Sequence, residues 1–293
     1  SFQIERILSG LAEGNLDFIN PIQLWVRKQG DEYVIFDAIF HRSDGLLILE
    51  LEPASQENIP FLSFYHLARA SINHLKETSN LRQFCQIIVE EVRKVTEFDR
   101  VMLYKFDDDG HGVVVAEEKV ESLESYLGLH FPESDIPKQA RKLFTSNWIR
   151  IIPDTYSQPL TVFPANNPVS QRPLDLTLSI LRSASPCHIE YLHNMGVGAS
   201  MTISLIKDQK LWGLIACHHQ TPKYVSYELR KACEFLGRMI FSDSAKEETE
   251  DYDYQIKLKC IQSALVEYMS QAENFIDGLV KHEQNILQLT SAQ

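Results

Sequence analysis

Cys187 and His188 stand side by side, Tyr191 follows three residues later, and a Gly196-Val197-Gly198 turn opens a strand. A cysteine next to a histidine raises two chemistries, nucleophilic catalysis and metal binding. Adjacent helical residues point about a quarter-turn apart, so the pair does not by itself form a nucleophile–base hydrogen bond. Cys187, His188, Cys217, His218 and His219 are suitable zinc ligands in type. Their spacing matches none of the common zinc patterns. On spacing alone, a buried structural cysteine is the leading reading.

A second unusual segment is Phe131-Pro132-Glu133-Ser134-Asp135-Ile136-Pro137. Its bland reading is a helix cap by Asp135, with Ile136 held extended by the proline that follows. The same stiffness would hold the Asp135 carbonyl at a fixed angle toward a ligand. Arg150 lies between Ile149 and Ile151, and Arg182 follows Leu181. Each is a solvated surface charge or, through its planar fork of donors, half of a carboxylate clamp. Tyr104, Tyr126 and Tyr191 read first as core aromatics with satisfied hydroxyls. His218 and His219 end an apolar strand, so alternation turns one inward and one outward. The inward one is a candidate ligand contact, with a hydrogen-bonded core histidine as the default.

These residues need elements to hold them. Three β-type runs, residues 23–27, 33–41 and 46–52, are separated by turn signals at Gly30-Asp31 and Ser43-Asp44-Gly45. They predict an antiparallel meander. Three strands make a poor core by themselves. The chain also starts without Met, so a fragment with a missing upstream half-domain is expected. Apolar residues recur at helical spacing over 61–75 and 81–95. Strands are predicted over 101–106 and 113–117 around a turn at 107–110, and a hairpin over 199–206 and 211–217. Residues 150–173 form an irregular, proline-rich excursion, a kind of loop that is usually functional. Residues 174–191 read as helix. From 227 to 269 there is no proline, and the periodicity predicts a long helix that joins domains or pairs with its own copy.

The chain has 293 residues, enough for about two domains. Its net charge of −12 argues against a nucleic-acid or anionic-membrane partner. No apolar run approaches the ~20 residues of a membrane span, and the first residues are not a signal peptide. Five cysteines without a CxxC fit reduced thiols in a cytoplasmic protein.

Five long segments then resemble the cyanobacterial phytochromes. They are DRVMLYKFD (99–107), YLGLHFPESDIPKQARKLF (126–144), LRSASPCHIEYLHNMGVGASMTISLIKD (181–208), LWGLIACHHQTPK (211–223) and ELRKACEFLGR (228–238). The resemblance runs through essentially the whole chain. It implies an α+β protein: the C-terminal part of a PAS sheet (1–52), a GAF domain with an antiparallel sheet flanked by helices (61–226), a long linker helix (227–269) and the start of a PHY domain (270–293).

The resemblance also implies site residues. Cys187 matches the cysteine that forms a thioether to the A-ring side chain of a linear tetrapyrrole, phycocyanobilin or phytochromobilin. His188 matches the residue beside the pyrrole nitrogens, and the main chain of Asp135, in the segment with Ile136 and Pro137, receives their hydrogen bonds. Arg150 and Arg182, with Ser200 and Thr202, match the propionate-holding positions. His218 matches the partner of the D-ring carbonyl. Tyr104, Tyr191 and Phe131 box the D-ring, and Tyr126, Met102 and Phe144 complete the cofactor-binding positions. Two departures stand out. Phe131 occupies a position where relatives often have Tyr. Ser185-Pro186 precede Cys187 where many members have an aromatic residue and a His.

The resemblance therefore implies a red/far-red photoreceptor that signals by Z/E isomerisation at the D-ring and transmits along the long helix. Its partners are the bilin and a downstream output module such as a histidine kinase. A homodimer through the long helix is a further expectation. No turnover enzyme is expected, since bilin attachment is autocatalytic, and no metal. The rival reading is a GAF domain that binds another small ligand, such as a cyclic nucleotide. A cysteine hydrolase is the second rival.

Overall fold

The computed structural model describes residues 16, 19–28, 32–54, 81–107, 109–207 and 209–243. By internal contacts the chain divides into two compact units, residues 1–78 with 82–241, and residues 79–81 with 242–293. The architecture below belongs to the first. The expected helix at 61–75, the long helix beyond 243 and the start of the next domain lie outside the described residues.

The predicted meander is present. Strands β1 (Ile22–Arg27), β2 (Tyr33–Ser43) and β3 (Leu46–Pro53) pair antiparallel in the order β1-β2-β3. Ser43 pairs with Leu46, leaving a two-residue turn in which Asp44 and Gly45 have φ of 47° and 77°. Two successive positive φ values suit the twist of a tight hairpin, and the Asp-Gly pair tolerates them.

Helix α1 (Leu81–Thr96) buries Phe84, Cys85, Ile88, Val89 and Val92 along one stripe, the 3.6-residue period made physical. A six-stranded antiparallel sheet follows. Its strands are β4 (Arg100–Phe106), β5 (Gly112–Lys119), β6 (His130–Phe131), β7 (Ile149–Ile152), β8 (Ala199–Lys207) and β9 (Lys210–His219), in the order β6-β5-β4-β9-β8-β7. Helices α2 (Lys138–Ser146), α3 (Pro186–Asn194) and α4 (Tyr227–Asp243) are the other α-helices among the described residues. The excursion expected at 150–173 begins later, because Arg150–Ile152 belong to β7.

The register decides what each sheet face carries. Arg100 is opposite His218, His218 opposite Ser200, and Ser200 opposite Ile152. One pleat along, Met102, Ala216, Thr202 and Arg150 line up. Tyr104, Leu214 and Ser204 form the next row. Side chains alternate along a strand, so all of these share one face. The opposite face carries Val101, Leu103, Ile149, Ile151, Met201, Ile203, Leu205, Ile215 and Cys217, all buried. Helix α4 packs there: a Cβ on Gly237 would stand 3.0 Å from Ile203 Cγ2. One face is thus a core, and the other is polar, aromatic and charged.

Residues 174–185 do not form the predicted helix; only Pro186–Asn194 is helical. The reason is tertiary. Glu50 of β3 accepts the backbone N–H groups of Ile180 at 3.1 Å and Leu181 at 2.7 Å, donors that a helix would need. An Asx turn from the Thr177 N–H to Asp175 Oδ1 competes with helix upstream. Pro186 then opens α3, where a missing N–H costs nothing. The three-stranded sheet is also pinned by a buried ion pair, Arg230–Glu52 at 2.6 Å, and by Tyr224 donating to Glu52 at 2.7 Å.

Candidate functional site

Cys187 is the second residue of α3 and its thiol is exposed, which corrects the buried structural reading. Pro186 starts the helix at the surface and leaves the next side chain outside. One turn along, the His188 and Tyr191 rings lie nearly parallel, with centroids 6.5 Å apart. His188 is largely buried, and its pKa is lowered to about 4, first by burial and then by the charge of Arg150. Its imidazole is therefore neutral at pH 7 in the ligand-free protein.

Tyr191 donates a long hydrogen bond of 3.4 Å to Asp135 Oδ2. Asp135 closes a 3₁₀ turn, Glu133–Asp135, and its N–H bonds to the Pro132 carbonyl at 3.1 Å. The cap reading of Asp135 is corrected: α2 begins after Pro137 with no side-chain cap hydrogen bond. Ile136 has φ −125° and ψ 80°, outside the helical region as its proline neighbour requires.

An aromatic wall adjoins this turn. Met102, Tyr104, Val114 and Leu214 are buried in one cluster, against which Tyr126, Phe131, Ile136, Phe144 and Phe106 pack. The Tyr104 ring meets Phe131 at 5.8 Å and Phe106 at 5.1 Å. It lies so close over β5 that a Cβ on Gly112 would sit 2.0 Å from its Cζ, so only glycine fits there.

The polar residues of the same sheet face come next. Arg150 has no carboxylate partner among the described residues, and its pKa falls to about 10 through burial and then the charge of Arg182. Arg182 is lowered as well, chiefly by burial, and Asp175 opposes that shift. Thr202 is the cross-strand neighbour of Arg150, and Ser200 that of His218. His218 is 8% exposed, and its Nδ1 is buried without a hydrogen-bond partner. Burial, Arg100 and His188 together push its pKa down to about 3. His219 faces the other way and pairs with Asp99 at 3.0 Å.

Sequence reasoning missed Arg100 and Glu117. They form a buried ion pair at 3.0 Å, and the guanidinium lies 3.7 Å over the Tyr126 ring. Alternation with Met102 and Tyr104 was the signal for Arg100. Gly112 and Phe106 were missed too, because ring packing across strands has no local signature.

The face gathers two guanidiniums, hydroxyls, a buried imidazole and an aromatic wall, groups suited to a ligand that combines carboxylates, a hydrogen-bonding group and a flat ring surface. An exposed thiol stands beside it. Among the described residues, no three His, Cys, Asp or Glu side chains come together to hold a metal ion.

Comparison with known proteins defines the class. Residues 80–245 match the GAF domain family and residues 1–54 match a PAS fold. The chain belongs to the phytochrome family. It is 74% identical to Cyanobacterial phytochrome A of Nostoc sp. over all of its own length and 39% of that protein's. It is 57% identical to the phytochrome-like protein Cph1 of Synechocystis sp., again over its whole length and 40% of the relative. The chain thus spans about two fifths of these relatives. Among solved structures, the chromophore-binding domain of Stigmatella aurantiaca phytochrome P1 is 48% identical with a TM-score of 0.74, covering 81% of this chain and 78% of that one. The R. palustris bacteriophytochrome RpBphP3 is 38% identical with a TM-score of 0.80, covering 100% and 58%. The α+β architecture expected from the sequence agrees with these folds.

Proposed function

We propose that this chain is the bilin-binding part of a red/far-red photoreceptor, with phycocyanobilin or phytochromobilin attached to Cys187. The observation that carries the reading is the composition of one sheet face. It holds an arginine without a carboxylate, a buried imidazole nitrogen without a partner and an aromatic wall, beside an exposed thiol. A linear tetrapyrrole has two propionates for Arg150 and Arg182, a ring carbonyl for His218 and a flat surface for Tyr104 and Phe131.

The chain's own groups divide the work. The exposed Cys187 thiol would hold the bilin through a thioether to its A-ring side chain. The guanidiniums of Arg150 and Arg182, with the Ser200 and Thr202 hydroxyls, hold the propionates. The Asp135 carbonyl and the neutral His188 imidazole would hold the pyrrole N–H groups, which would favour the protonated pigment without a full counter-charge. The bound bilin supplies light absorption and Z/E isomerisation next to its D-ring. The aromatic wall excludes water and shapes the space in which that ring turns. The change then passes along the helix that begins at Tyr227 to an output module such as a histidine kinase, in a cytoplasmic homodimer. The protein turns over no substrate.

The test is co-expression with phycocyanobilin synthesis, followed by zinc-induced fluorescence of the denatured band. A fluorescent band in the parent and none in Cys187→Ala supports the reading. Fluorescence in both places attachment elsewhere; a colourless parent refutes bilin binding.

A further inference from the structure

We propose that Arg141 is a positioning residue for the bilin site, tying the turn that carries Asp135 to the hairpin that carries Tyr104. This rests on the function proposed above. Arg141 lies in the first turn of α2, and its side chain is only 17% exposed. Nη1 donates to the Gly110 carbonyl at 3.1 Å, at the tip of the β4–β5 hairpin. Nη2 pairs with Glu133, two residues before Asp135 in the same 3₁₀ turn. The guanidinium also stands 5.7 Å from the centroid of Phe106, whose ring meets Tyr104 edge-on. One side chain therefore touches both elements that bracket the isomerising end of the pigment.

The local sequence leaves room for this. Gly110 has φ of 83°, and a Cβ there would lie 2.5 Å from Arg141 Nη1. The glycine admits both the turn and the guanidinium. Without Arg141, the turn loses its close ion pair at Glu133. The Lys138–Glu133 contact is 4.0 Å long with the lysine 88% exposed, a geometry that adds little. Among the described residues, the turn's other polar ties are the backbone bond to Pro132 and the 3.4 Å contact from Tyr191, while Phe131 and Ile136 on either side pack against the aromatic wall. Lysine does not reproduce the fork, because its single ammonium nitrogen replaces the two separate nitrogens that reach the Gly110 carbonyl and Glu133.

Bilin-free protein tests the positioning directly. Amide hydrogen exchange is compared in the parent, Arg141→Lys and Arg141→Ala. In Arg141→Ala the hydrogen-bonded amides of Asp107, Gly110 and Asp135 exchange about tenfold faster, while those of β8 and β9 keep the parent rates. Arg141→Lys falls between. Exchange unchanged at both segments, or faster everywhere, overturns the proposal, the second outcome marking a merely structural role. If Arg141→Ala does not fold, Glu133→Gln removes the ion pair from the other end; it must speed exchange at Asp135 and leave Asp107 and Gly110 alone, and any other pattern overturns the proposal. In the bilin-loaded protein, Arg141→Ala raises fluorescence yield with attachment at Cys187 intact; unchanged yield overturns the link to Tyr104. A parent that fails to bind bilin refutes the function instead and leaves the exchange result standing.

Discussion

His218 offers the sharpest quantitative test. Its imidazole is 8% exposed, and burial, Arg100 and His188 hold its pKa near about 3, against 6.5 for an unperturbed histidine. Between those values the unfolded chain binds a proton that the folded chain refuses. Stability is therefore full above about pH 6.5 and falls as pH drops toward the folded-state pKa. One proton per pH unit is worth about 1.4 kcal/mol, so between pH 7 and pH 5 this one group removes about 2 kcal/mol. His218→Gln abolishes that titration. Urea unfolding of the bilin-free parent and variant at both pH values measures it, and the parent should lose about 2 kcal/mol more than the variant. Asp37 and Glu228, both raised chiefly by burial, act in the opposite direction but are common to both proteins and cancel. Equal losses in parent and variant refute a buried, neutral His218.

Cys187→Ala should abolish covalent bilin while the urea midpoint of the apoprotein stays within about 0.5 kcal/mol of the parent, since the thiol is exposed. His188→Ala should lower the apparent pKa of the bound pigment, because a partner of its protonated form is lost; absorbance titration reads this. Tyr104→His removes a ring packed against Phe131 and Phe106, and should divert excitation from isomerisation to fluorescence, seen as a higher emission quantum yield. Arg230→Met leaves Glu52, 0% exposed, as an unpaired buried charge; the cost should be about 3–5 kcal/mol in chemical unfolding.

The strands that carry the site were legible in the sequence because alternation and turn chemistry agree there. Asp44-Gly45 marks its hairpin, and the row Arg100, Met102, Tyr104 follows from period two once β4 is placed. Residues 174–185 were misread as helix because their apolar spacing is helical while their N–H groups are taken by Glu50, which is more than 120 residues upstream. No local rule encodes such a partner. Cys187 was read as buried on spacing, yet Pro186 starts its helix at the surface. The site residues themselves came from resemblance, not from spacing. Alternation makes Arg150, Thr202 and His218 share a face, but only the pairing of β7, β8, β9 and β4 brings them side by side. Arg141 shows the same limit: its partners Gly110 and Glu133 lie on two elements that meet only in the folded chain.

The most direct measurement of the central claim is an absorption spectrum of the purified protein made with phycocyanobilin, recorded in the dark and again after red light. A red band in the dark that loses intensity after red light, as a far-red band grows, is the predicted result. A spectrum that red light leaves unchanged, or pigment that is lost on denaturation, contradicts it.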